Sequence, residues 1–241
     1  MAKQLMYYEK VVPISAERHR GWSVAQGSFV FAAETNAAPL MCAEFQSAAC
    51  ELPIVFGKTD AGFSPVVIMG IEQNQALTVA SDGAWIGTYI PAFLRRYPFV
   101  FAEGREENSF TLCLDEGFDG CDSGGQRGKA LYGSDGDEDE PSDFLREVLE
   151  FARNFEIEQR RTIEFGKLLE EQNLMEPMQA GITMPDGQKR AVTGFHVVSR
   201  EKLKAIPEDV LKDYFARDVL ELIYYHMGSL RNMEKLRRLA S

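Results

Sequence analysis

One apolar stripe constrains this chain more than any other feature. Phe144, Val148, Phe151, Phe155, Thr162, Phe165 and Leu169 recur at alternating steps of three and four, with Glu158 filling the missing step. That period belongs to a helix that turns one side to a core. The opposite side carries Arg146, Glu150, Arg153, Glu156, Arg160 and Glu170, a solvated face. Pro141-Ser142-Asp143 opens the helix, with acidic residues just upstream suited to its positive end. It runs to Glu171 or Gln172, with a break expected at Gly166. An aromatic stripe at this spacing reads as core, not as a cofactor box.

Such a helix needs a surface to cover it, and the first half of the chain supplies strands. Residues 5–13 read as a first strand or arm. Ile54-Val55-Phe56, Val66 to Ile71, Phe99-Val100-Phe101 and Phe110 to Leu114 read as strands, and the unbroken apolar run at 66–71 requires cover on both faces. Ser81-Asp82-Gly83 is a turn between Leu77-Thr78-Val79 and Trp85-Ile86. Pro39 to Leu52 reads as a helix, because Leu40, Cys42, Ala43, Phe45 and Ala49 fall on one face. Residues 115–141, rich in Gly and Asp, read as a solvated loop. Beyond the long helix, Ile182 to Met184 and Val192 to Val198 flank Pro185-Asp186-Gly187-Gln188 as a hairpin. Ser199 caps a short helix, Pro207 opens another carrying Val210, Leu211 and Phe215, and a last helix carries Leu220, Ile223, Met227 and Leu230. The fold class is α+β: a mostly antiparallel sheet from the N-terminal half, packed against the long helix and the C-terminal helices. The chain reads as a single domain over 1–241. If it has lobes, a β-rich 1–116 and a helical 142–241 meet at the acidic loop 117–141.

The densest stretch is Trp85 to Phe99, WIGTYIPAFLRRYPF. Pro91 suits the first turn of a helix and Pro98 marks its end, leaving a short helix from Pro91 to Arg96. Arg95 and Arg96 then point about 100° apart, so at most one faces inward. Two readings stand. In one, Trp85, Tyr89, Pro91, Arg95, Arg96 and Tyr97 form a recognition site, with aromatic walls and a guanidinium fork for carboxylates. In the other, the rings are core and the arginines pair with neighbouring acids.

Charge and composition narrow the function classes. The 241 residues carry a net charge of −11, which argues against broad electrostatic binding of nucleic acid or anionic membrane. No apolar run reaches the roughly 18 residues of a spanning helix. The N-terminus does not read as a signal peptide. Cys42, Cys50, Cys113 and Cys121 include no C-x-x-C pair and read as free thiols, which points to the cytoplasm. The aspartates at 115, 119, 122, 135, 137 and 139 lack the spacing of a calcium loop, so no metal is expected. His19, His196 and His226 show no zinc spacing, and His226, in an apolar helix, reads as a hydrogen-bonded core residue. No cofactor motif and no catalytic template is present, and a Cys–His pair meeting in space stays open.

A resemblance joins these pieces. Pro53 to Phe56 (PIVF), Pro65 to Leu77 (PVVIMGIEQNQAL) and Trp85 to Phe99 with its Y-I-P-x-x-x-R-R-Y-P-F core resemble the bacterial SapC family. So do Leu131-Tyr132-Gly133 before the acidic loop, Thr193-Gly194-Phe195, and Ile223 to Leu230. The resemblance spans nearly the whole chain. It implies association with a surface-layer system, or an accessory protein encoded beside flavin-dependent halogenase-like proteins and TonB-dependent receptors. It implies no catalytic residues. The expectation is a non-catalytic cytoplasmic interaction protein that holds a protein or peptide partner, since aromatic and Arg side chains dominate binding hot spots. The alternatives are an enzyme, or an obligate enzyme subunit of such a flavin- or receptor-linked pathway, and a surface-layer component.

Overall fold

The computed structural model describes residues 6–25, 27–60, 62–103, 110–134, 137–183 and 187–240. In chain order the elements are β1 (Val11–Pro13), α1 (Ala16–His19), β2 (Ser23–Val24), β3 (Ala37–Pro39), α2 (Phe45–Ala49), β4 (Ile54–Thr59), β5 (Gly62–Ile68) and α3 (Ala92–Arg95). Next come β6 (Phe99–Glu103), β7 (Phe110–Asp115), β8 (Cys121–Asp122), β9 (Lys129–Ala130), β10 (Tyr132–Ser134), β11 (Asp137–Pro141) and α4 (Asp143–Glu171). The chain closes with β12 (Met175–Thr183), β13 (Lys189–Val198), α5 (Arg200–Lys204), α6 (Glu208–Ala216), α7 (Val219–Ser229) and α8 (Met233–Leu239). This is the expected α+β class, with antiparallel sheets, one long helix and C-terminal helices.

The chain forms two compact units. The first comprises Met1–Ser28 and Arg95–Glu156, the second Phe29–Leu94 and Ile157–Ser241. In the first unit β7 lies between β1 and β6, antiparallel to both. A second small sheet places β2 between β8 and β9, and β10 pairs with β11. Its core gathers Val24, Phe99, Leu112, Leu114, Leu131, Leu145 and Ala152, with Phe144 and Val148 of α4 packed against them. The reading of 115–141 as solvated loop is thus corrected. β8 and β9 pair with β2 through backbone bonds, which ask nothing of side-chain hydrophobicity, and Asp115 is fully buried.

The second unit is built on a five-stranded antiparallel sheet in the order β12-β13-β4-β5-β3. Ile54, Val55 and Phe56 on the central strand are all fully buried, so both faces are covered. Val55 and Ile68 join a core with Ile71, Ile182, Val192, Phe195, Val197 and Leu236. Phe56 meets Phe165 of α4 at 6.1 Å, and Phe165 meets Phe45 of α2 edge-on at 5.8 Å. The stripe on α4 is therefore core. The helix runs without a break at Gly166, where a Cβ would stand 1.9 Å from the Phe63 carbonyl oxygen of β5. That glycine marks close approach of backbone to backbone, not a helix end.

One further expectation changes. Pro39 to Leu52 is not one helix: Pro39 ends β3 opposite Val66, and a single 3₁₀ turn at Cys42–Glu44 precedes α2. The Glu44 side chain accepts the Met41 amide at 2.8 Å and fixes that turn. On α6, Tyr214 is the buried residue, donating to the Leu168 carbonyl at 2.7 Å, while Leu211 and Phe215 face outward. The expected hairpin is present and longer than its apolar run, because β12 begins at Met175. Met184, expected to end the first strand, and Pro185 and Asp186, expected in the turn, lie outside the described residues.

Candidate functional site

The six residues singled out in the sequence fall on both units: Trp85, Tyr89 and Pro91 in the second, Arg95, Arg96 and Tyr97 in the first. Each set has its own geometry.

In the second unit, Asp82 accepts the Ala84 amide at 3.0 Å within the turn that sets Trp85 opposite Val79. The Trp85 indole N–H donates to the Tyr89 carbonyl at 2.9 Å, and its ring meets Phe29 edge-on at 5.6 Å. Val30 and Ile86 lie exposed close by in sequence. Two carboxylates anchor the loop. Glu51 accepts the Thr88 amide and hydroxyl and the Tyr89 amide. Buried Glu44 accepts the Tyr89 hydroxyl, and the Ala92 amide at 2.6 Å. Burial alone would raise the Glu51 carboxyl, but the Thr88 and Tyr89 donors and the charge of Lys235 outweigh it and hold it below the usual carboxylate range. Pro91 is buried and its carbonyl accepts the Leu94 amide at 2.9 Å, opening α3 as expected.

In the first unit the arginine pair divides. Arg96 is only 5% exposed; its guanidinium sits 4.6 Å from the Phe155 ring centroid and bonds Tyr8, with the Glu156 charge nearby. Burial pulls it below its ordinary value, partly offset by Tyr8 and Glu156. Arg95 is exposed, with its guanidinium 5.3 Å from the Phe151 centroid. Half-buried Tyr97 donates to Asp115 at 3.2 Å and stands edge-on to Tyr8 and to Phe118, both at 5.1 Å. Burial, then the Asp115 charge, pushes the Tyr97 phenol well above its ordinary value. Asp115 also accepts the amides of Glu9, Lys10 and Gly117 at 2.8–3.0 Å. Arg96, Tyr8, Tyr97 and Asp115 thus form an internal polar network beneath an outward Arg95.

The other reactive side chains are held in place by structure. His226 is fully buried: its Nδ1 lies 2.7 Å from the Ile54 carbonyl and its Nε2 accepts the Val198 amide at 3.1 Å. Burial lowers it to about 4. His19, also buried, accepts the Ser15 amide at 3.3 Å and faces Glu116 at 3.4 Å. His196 packs edge-on to Phe63 at 4.9 Å. All four cysteines are free thiols. Burial pushes Cys42 up to about 12 and Cys121 up to about 11, and it also raises Cys113. Among the described residues no three His, Cys, Asp or Glu side chains gather as a metal site, and no helix is long and apolar enough to cross a membrane.

Sequence reasoning missed the acids that organise both halves: Glu44, Glu51 and Asp115. Each holds a donor far away in the chain, Thr88 at 37 positions from Glu51, Ala92 at 48 from Glu44 and Glu9 at 106 from Asp115, and no local spacing marks those pairs. Phe151 was visible, but as one ring of the α4 stripe rather than as the platform under Arg95. No curated protein and no solved structure matches this chain. The SapC family model matches residues 14–236, and with the Y-I-P-x-x-x-R-R-Y-P-F segment inside that span, the chain belongs to the SapC family.

Proposed function

We propose that this SapC-family chain is a cytoplasmic interaction protein that binds a protein or peptide partner. The observation that carries the reading is the contrast between adjacent arginines: Arg96 is buried, while Arg95 lies exposed on the Phe151 ring. An exposed guanidinium lying on an aromatic face has the composition of a binding hot spot. Its positive charge suits a partner that brings a carboxylate. The net charge of −11 favours a protein over a nucleic acid as that partner. The free state of all four cysteines supports a reducing compartment.

The enzyme reading finds less support. A nucleophilic cysteine needs its thiolate, and burial drives three of these four thiols the other way. The His226 ring already serves two backbone groups.

The test is capture of a partner from extracts of the native host on the immobilised chain, followed by titration of the purified partner. Arg95→Ala is expected to weaken binding about tenfold or more with melting unchanged. A partner that binds parent and variant alike ends this reading.

A further inference from the structure

We infer that the open edge of β13 binds an extended polypeptide segment by strand addition, at a place distinct from Arg95. β13 pairs with β12 along its whole length, yet it meets β4 at one position only, His196 opposite Phe56. The cause is local. Between Met178 and Ala180 the register shifts, setting Gln179 against both Thr193 and Gly194, and Gly194 takes φ +81°. A bulge with glycine in the left-handed region bends its strand. From Gly194 back to Lys189 the strand has no partner on its β4 side among the described residues.

That edge has unspent backbone chemistry. In an antiparallel pair, alternate residues bond the partner strand and the others turn N–H and C=O the opposite way. Whichever of Lys189, Arg190, Ala191 and Val192 bond β12, the remaining two present donors and acceptors outward.

The edge also borders a preformed groove. A cavity of about 520 Å³ is lined by Asn36, Ile71, Glu72 and Gln73 on one side and by residues 188 and 190–193 on the other. This is within the size range of ordinary ligand sites. The far wall is rigid: the Asn36 carbonyl accepts the amides of Met69 and Gly70, and a Cβ on Gly70 would lie 1.7 Å from the Gln75 oxygen. Val192 is anchored in the core beside Ile71, and Arg190 is paired with Glu72, so the edge itself is held. Asn36 and Gln73 are among the lining residues, and a carboxamide matches a peptide backbone in donors and acceptors. Main-chain hydrogen bonds supply affinity in this recognition mode.

The experiment selects short peptides from a random display library on the full-length protein and measures amide hydrogen exchange with each synthesised binder. The expected result is slowed exchange confined to Lys189–Gly194. N-methylation of alternate peptide amides should weaken binding about tenfold or more, as should Gln73→Trp, which fills the groove from its exposed rim without changing the melting temperature. Binders that protect another surface, or that tolerate N-methylation on both alternate sets, overturn the inference. So does a concentration-dependent dimer protecting the same amides without peptide, because the edge is then taken by a second copy. A selection that yields no binder overturns it as well. None of these outcomes depends on Arg95, so the two proposals fail separately.

Discussion

The Tyr97 hydroxyl donates to the Asp115 carboxylate at 3.2 Å, and the same carboxylate holds the amides of Glu9 and Lys10. One buried side chain therefore fixes the chain just ahead of β1 and just ahead of β6. Asp115→Ala is expected to leave several amides without an acceptor, at about 1–3 kcal/mol for each group stranded in the interior. For a chain of this size each kcal/mol lowers Tm by about 2–4 °C. Calorimetry should show a drop of about 6 °C or more. A Tm unchanged by the substitution would mean that water replaces the carboxylate freely.

The adjacent arginines should separate in urea titrations. Arg96→Ala removes a buried guanidinium from the Phe155 ring and from Tyr8, and a loss of about 2–4 kcal/mol is expected. Arg95→Ala removes an exposed one and should stay within about 0.5 kcal/mol of the parent. Equal losses at the two positions would contradict the division described above.

That division was legible in the sequence, because neighbours on a helix point about 100° apart. The α4 stripe was legible for the same reason, as a period sustained over many turns. So were the apolar strands at 54–56, 99–101 and 110–114. The sheet around β2 was not. β8 and β9 are each two residues long and pair through backbone alone, so Gly- and Asp-rich sequence hid them. Asp115 looked like the first residue of a solvated loop, since its partners Glu9 and Lys10 are more than a hundred positions away. On α6 the buried residue is Tyr214, which the apolar positions Val210, Leu211 and Phe215 did not mark; its hydroxyl donates to the Leu168 carbonyl.

Gly166 gives a prediction whose sign separates propensity from packing. Alanine in a helix interior is favoured over glycine by about 1 kcal/mol. Here its Cβ would meet the Phe63 carbonyl at 1.9 Å, and that atom is backbone of β5. Forcing α4 off the sheet costs about 1–3 kcal/mol, with lost contacts of Phe165 adding to it. Gly166→Ala is expected to destabilise in denaturant. A stabilised variant would show that α4 does not approach β5 as closely as described.

His226 makes stability depend on pH. Its Nε2 accepts the Val198 amide, so a proton there breaks a buried bond and places a charge in the core. The folded state holds its pKa at about 4, against about 6.5 in an unfolded chain. Between those values the unfolded state binds the extra proton. The contribution is complete above about pH 6.5 and is lost as pH falls towards 4, amounting to about 3 kcal/mol in all. His19 is lowered too, by burial first, and adds a slope of the same sign. The contribution of His226 is therefore read as a difference: urea titrations of the parent and of His226→Gln at pH 7 and pH 5. The variant should start less stable at pH 7 and lose less on acidification. Parallel pH profiles for the two proteins would mean that His226 is already protonated, or freely hydrated, in the folded chain.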